Sequence, residues 1–190
     1  LPLPSMQEQD WIRPMGNLWQ GDADSAQLLR DRERGVDMLY GEWAPEKKPV
    51  LEVTSRFATR DRAIDLTRAG QAAPLSASMH RRYTRATKLL PTDGIVRKTA
   101  LDITRGAKTD QDKARAIYEW VVDNTARNPK TRGCGLGDIR FMLETGDLTG
   151  KCADLNSLYV GLARAAGLPA RDVYGIRVGD SRFGYKSLGK

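Results

Sequence analysis

The chain has 190 residues, of which 40% are hydrophobic and 29% charged, and 31 Lys and Arg against 24 Asp and Glu leave a net charge of +7. That is enough apolar material for one domain with a real core, or one domain plus a smaller module, without disulfide staples. No run approaches the roughly 18 apolar residues of a membrane span, and the excess positive charge favours an anionic partner.

The opening Leu1-Pro2-Leu3-Pro4 lacks an initiator Met and reads as a processed or trimmed start. Residues 1–68 have β composition, with predicted strands at Trp11–Arg13, Met38–Trp43 and Val50–Phe57. Turn-like breaks hold Gly16-Asn17, Gly21-Asp22, Arg34-Gly35 and Ala44–Pro49. A small antiparallel sheet or sandwich is expected here. Residues 69–75 read as a linker.

From 76 to 190 the pattern is that of a second, largely helical domain, giving an α+β chain. Ser76 or Ser78 is placed to cap a helix running to about Leu90, stopped by Pro91-Thr92-Asp93-Gly94. A second helix is expected over Ile95 to about Arg105, with Val96, Ala100 and Ile103 on one side. Thr109 and Asp112 have capping-box spacing for a third, in which Ile117, Trp120, Val121 and Asn124 share a side. Asn128–Asp138 reads as a long loop, followed by a short helix over Ile139–Glu144. The next helix carries Leu155, Leu158, Tyr159, Leu162, Ala163 and Ala166 at helical spacing. Gly167 is suited to end it, Pro169 prevents continuation, and Asp172–Val178 reads as a strand.

The chemistry centres on two cysteines. Cys152 falls in the first turn of its helix, after Lys151, where unpaired N–H groups and the helix dipole favour a thiolate. The same N–H groups can stabilise an oxyanion. A small buried residue or half of a disulfide are the alternatives, since free cysteine is often buried. Cys134, in Arg132-Gly133-Cys134-Gly135, is the only partner for a bridge; the reading favours two unpaired thiols. No metal site is expected, because two cysteines and one distant histidine lack paired-ligand spacing. No cofactor is expected either. Gly146–Cys152 has three residues between its glycines and Cys after Lys, which is not a phosphate loop. The basic cluster Met79–Lys88 holds one aromatic and no RNA-binding or zinc-finger signature, so nucleic acid is not expected.

Gly150-Lys151-Cys152-Ala153-Asp154-Leu155, then Leu162–Arg171 and Val173-Tyr174-Gly175, resembles the core of the transglutaminase-like cysteine enzyme superfamily. Ala114–Asn124 is similar to the helix before that motif, and the N-terminal β segment resembles that of bacterial exported members. The resemblance implies a papain-like α/β core and acyl transfer through a thioester. Cys152 is then the catalytic nucleophile, its backbone N–H an oxyanion donor, and a peptide or protein the substrate. It also implies an exported, periplasmic location. In the family, the His and Asp partners follow the cysteine on strands. Here no histidine follows Cys152, and the sole one, His80, does not match the catalytic position. The expectation is therefore a chain cut before its His and Asp, inactive alone. The alternative is a non-catalytic module that binds an anionic cell-envelope polymer or a protein partner.

Overall fold

The computed structural model describes residues 1–3, 11–31, 36–60, 63, 65 and 73–175. Two compact units are present, one within Leu1–Leu66 and one spanning Thr67–Tyr174.

Among the described residues, the first unit holds two antiparallel sheets. β1 (Pro2–Leu3), β3 (Ser25–Asp31) and β4 (Val36–Glu42) form one, in the order β1-β4-β3. β2 (Ile12–Gly21) and β5 (Leu51–Thr59) form the other. Leu39 lies in the middle of the three-stranded sheet and is fully buried, as strand alternation requires of one face. Asp22 fastens the connections: its carboxylate accepts from Trp43 Nε1 at 2.6 Å and from the Val50 N–H at 2.9 Å. Asp24 does the same for the Ala44 N–H and the Lys47 ammonium.

Two expectations change here. Gly16-Asn17 is not a turn but a bulge inside β2, where the register shifts between Pro14 and Asn17 and Gly16 takes φ 104°. β3 was not expected, because Ala-Gln-Leu-Leu-Arg has no β-branched residue; pairing with β4 along its whole length decides it. The Arg34-Gly35 break lies outside the described residues.

Among the described residues, the second unit holds five helices around one core. α1 is Ala77–Thr84, α2 Gly94–Ile103, α3 Asp110–Asn124, α4 Ile139–Thr145 and α5 Cys152–Ala165. Ser76 caps α1 and Thr109 with Asp112 completes the capping box of α3. α1 stops six residues short of the predicted Leu90. Its last turn spends Thr84 on the His80 and Arg81 carbonyls, and Arg85 turns to extended backbone. The freed segment serves packing instead: Leu89 O receives the Ile139 N–H and Thr87 N–H bonds Leu90 O.

Val96, Ile117, Ile139, Leu158 and Leu162 are fully buried and bring α2, α3, α4 and α5 together. Burying each such side chain stabilises by about 1.5–3 kcal/mol. Trp120 and Val121 pack on this core, whereas Asn124 faces out and bonds Trp120 O. α5 is the central element, covered on most of its circumference, and at about 1.5 Å per residue it is about 20 Å long.

Its C-terminal end explains the Leu162–Arg171 run. Gly167, at φ 86°, gives its N–H to Arg164 O, and Leu168 gives its N–H to Ala163 O, the bond pair of a Schellman end. Arg164 bonds Ala170 O and Arg85 O. Arg171 lies 5.6 Å from the Tyr83 ring centroid and bonds its hydroxyl at 3.4 Å. Asp172–Gly175 carry no strand; the rest of that predicted strand lies outside the described residues, as do the closing residues 176–190.

Candidate active site

Two short strands deliver Cys152 to its position. β6 (Ala126–Arg127) pairs in parallel with β7 (Thr149–Gly150), and the Asn128 N–H continues the contact to Gly150 O at 2.7 Å. β7 ends one residue before Lys151, the N-cap of α5, so Cys152 is the first helical residue. Its thiol is free and exposed, which removes the buried small-residue reading. Lys151 adds a positive charge beside the positive end of the helix dipole.

The loop that holds Cys134 returns to this helix start. Cys134 O accepts the Ala153 N–H at 2.8 Å and lies 3.9 Å from Cys152 Sγ, which donates to it. One first-turn N–H, that of Ala153, is thus already taken. The Cys134 thiol is also free and exposed. Hydrogen bonding to the Cys152 side chain first, and then the negative charge a Cys152 thiolate would carry, push the Cys134 thiol pKa up; Lys151 opposes the shift.

Asp154 holds the two pieces together. Although only 7% exposed, its carboxylate accepts three backbone N–H groups: Leu136 and Gly137 on Oδ1, both at 2.9 Å, and Lys151 on Oδ2 at 3.0 Å. Three such bonds satisfy a buried carboxylate. The Lys151 bond is half of a capping box; the other half is missing, because a lysine side chain has only donors. A Cβ on Gly135, at φ 97°, would collide with this carboxylate, and one on Gly150 would lie 2.5 Å from Asp154 Oδ2. Gly135 and Gly150 are there for close approach. Asp154 was not singled out from the sequence, although an acidic residue three places after an N-cap is a recognisable signal.

Tyr174 is the remaining titratable group nearby. Burial raises its phenol pKa first, and the charges of Asp172, Cys152, Cys134 and Asp154 add to the effect. His80 is not part of the cluster. It is exposed on α1, whose contacts Tyr83–Ala170 and Arg85–Arg164 lie at the opposite end of α5 from Cys152. Among the described residues, no three His, Cys, Asp or Glu side chains group as metal ligands, and no helix is long and apolar enough to cross a membrane.

The geometry can now be set beside known proteins. Residues 97–187 match the sequence model of the transglutaminase-like superfamily core. An uncharacterized protein of Haemophilus influenzae is 33% identical over 186 residues, covering 94% of this chain and 50% of its own. The chain therefore spans half the length of that relative. A solved structure of a candidate cysteine protease from Cytophaga hutchinsonii superposes with a TM-score of 0.62 at 14% identity, over 85% of this chain and 56% of that one. That likeness is one of fold, a mixture of helices and small antiparallel sheets. The segment that begins in α2 and carries Cys152 thus matches the transglutaminase-like superfamily.

Proposed function

We propose that this chain supplies the nucleophile of a cysteine hydrolase or acyltransferase that acts on peptide or amide bonds. The observation that carries the reading is the placement of Cys152: exposed, first in α5, beside Lys151, in a segment that matches the transglutaminase-like superfamily. Cys152 gives its proton to the general base and attacks the substrate carbonyl, its own N–H receives the developing oxyanion, and the C–N bond breaks so that the amine leaves with that proton and a thioester remains. Water then releases the acid; hydrolysis needs no dedicated amine site. The general base in this proposal is a histidine oriented by an aspartate, both expected after Cys152 in sequence from the resemblance; His80 is not assigned to it. An exported, periplasmic setting belongs to the same proposal.

The test is acyl-enzyme trapping on the purified protein with an activated ester or amide. Intact mass and peptide mapping should place the acyl group on Cys152, and Cys152→Ala should carry none. Iodoacetamide near neutral pH should modify Cys152 faster than Cys134. Equal, slow modification of the two, with no acyl adduct, would sink the reading.

A further inference from the structure

We propose that Cys134 and Cys152 form a reversible disulfide that caps the nucleophile. The bridge itself rests on the backbone contacts that bring Cys134 to the start of α5; that it shuts off acyl transfer rests on the reading of Cys152 as the nucleophile.

The two cysteines are far apart in sequence, with |i−j| of 18, yet they meet at one helix end. Both thiols are free and exposed, so an oxidant can reach them. The approach is built into the backbone. Cys134 O is tied to the Ala153 N–H, and Asp154 ties Leu136 and Gly137 on the other side of the same turn. Gly135 lets the turn lie against the carboxylate. Cys134 is therefore held beside Cys152 and does not have to find it.

The environment divides the roles. Cys152 stands exposed at the N-terminus of α5, beside Lys151. The Cys134 thiol, hydrogen-bonded to Cys152, keeps its proton to higher pH. Cys152 is thus the first thiol to react and Cys134 the resolving one. With a small-molecule disulfide such as oxidised glutathione as oxidant, the Cys152 thiolate attacks one of its sulfurs. The oxidant's S–S bond breaks, one glutathione thiolate leaves and takes a proton from water, and Cys152 carries a mixed disulfide. Cys134 then gives its proton to water, and its thiolate attacks the Cys152 sulfur. The Cys134–Cys152 bond forms and the second glutathione leaves as a thiolate, protonated by solvent. The protein dithiol is oxidised by two electrons, and one glutathione disulfide is reduced to two thiols. An external dithiol reverses the sequence.

The experiment is equilibration of the purified protein in mixtures of reduced and oxidised glutathione, read by intact mass, peptide mapping and iodoacetamide labelling. Oxidised protein should lose two hydrogens, yield a Cys134–Cys152 cross-linked peptide and lose all labelling of Cys152. Dithiothreitol should restore the labelling. Cys134→Ser should instead accumulate one glutathione on Cys152. Wild-type protein that stays reduced, or that collects glutathione adducts with no cross-linked peptide just as Cys134→Ser does, would overturn the proposal. A bridge that forms although Cys152 labels no faster than Cys134 in reduced protein supports the bridge and removes the nucleophile reading. Rapid labelling of Cys152 with no bridge does the reverse.

Discussion

The Asp154 carboxylate receives the Gly137 N–H at 2.9 Å across 17 positions of sequence, so a buried acid in the first turn of α5 sets the path of the loop that carries Cys134. The site is therefore held together from beneath, by backbone bonds to one side chain, while both thiols remain open to solvent.

Removing that carboxylate should loosen the loop and the helix start together. Asp154→Ala leaves the Leu136, Gly137 and Lys151 N–H groups without their acceptor. Each group left unsatisfied costs about 1–3 kcal/mol, less where water enters. The expected loss by urea titration is about 3 kcal/mol, and Asp154→Asn, which keeps the Oδ1 acceptor, should lose less. If Asp154→Ala unfolds at the wild-type midpoint, the three bonds are not what holds this loop.

Gly135 and Gly133 both take positive φ, but they differ in what surrounds them. A Cβ at Gly133 meets open space, whereas one at Gly135 runs into the Asp154 carboxylate. Gly133→Ala should cost only the backbone term, about 1–2 kcal/mol. Gly135→Ala adds the collision and should cost clearly more in the same denaturant titration. Equal costs would mean that the loop yields to a methyl group and that Asp154 does not confine it.

Alkylation of Cys134 should lag an ordinary thiol as pH rises. Its pKa is raised by the hydrogen bond to Cys152 and then by the Cys152 charge, so the reactive thiolate forms later than the ordinary cysteine range of about 8.5. Cys152→Ser removes that thiolate charge and exchanges the thiol contact for a hydroxyl, so the rate profile of Cys134 should move to lower pH. Peptide-resolved alkylation rates across the alkaline range measure this directly. A profile that does not shift in Cys152→Ser would place the two thiols out of contact.

Asp172 should make the protein less stable as pH rises. Burial raises its carboxyl above the ordinary value of 3.8, more than the Arg164 charge lowers it, and Oδ1 is buried without a hydrogen-bond partner among the described residues. Between the ordinary and the raised value, the native state holds more protons than the unfolded chain. The group's contribution is complete below the ordinary value and is lost as pH climbs through the raised one. Asp172→Asn should therefore gain stability relative to wild type across that window, then run parallel to it above. A constant difference at every pH, or a wild type that gains relative to the variant, would contradict the burial of this carboxyl.

Much of the helical unit is legible in the residues. Thr109 and Asp112 mark the start of α3, Gly167 and Pro169 the end of α5, and the apolar spacing of Leu158 and Leu162 its buried side. These are local signals, because capping, glycine geometry and helical periodicity act within a few residues. Where a competing use of the backbone decided the outcome, the local reading failed. α1 ended at Thr84 because the following residues bond α4 and the end of α5, and β3 formed because β4 lay beside it.

The same division runs through the site. Cys152 at the mouth of a helix, and the kinship carried by the residues around it, follow from sequence alone, since both depend on a short contiguous run. That Cys134 faces Cys152, that Asp154 pins the turn between them, and that β6 and β7 aim the helix start are contacts between residues far apart in the chain. Only the folded backbone brings such residues within hydrogen-bond range. It is there that a pair of separate cysteines becomes a pair of neighbouring thiols.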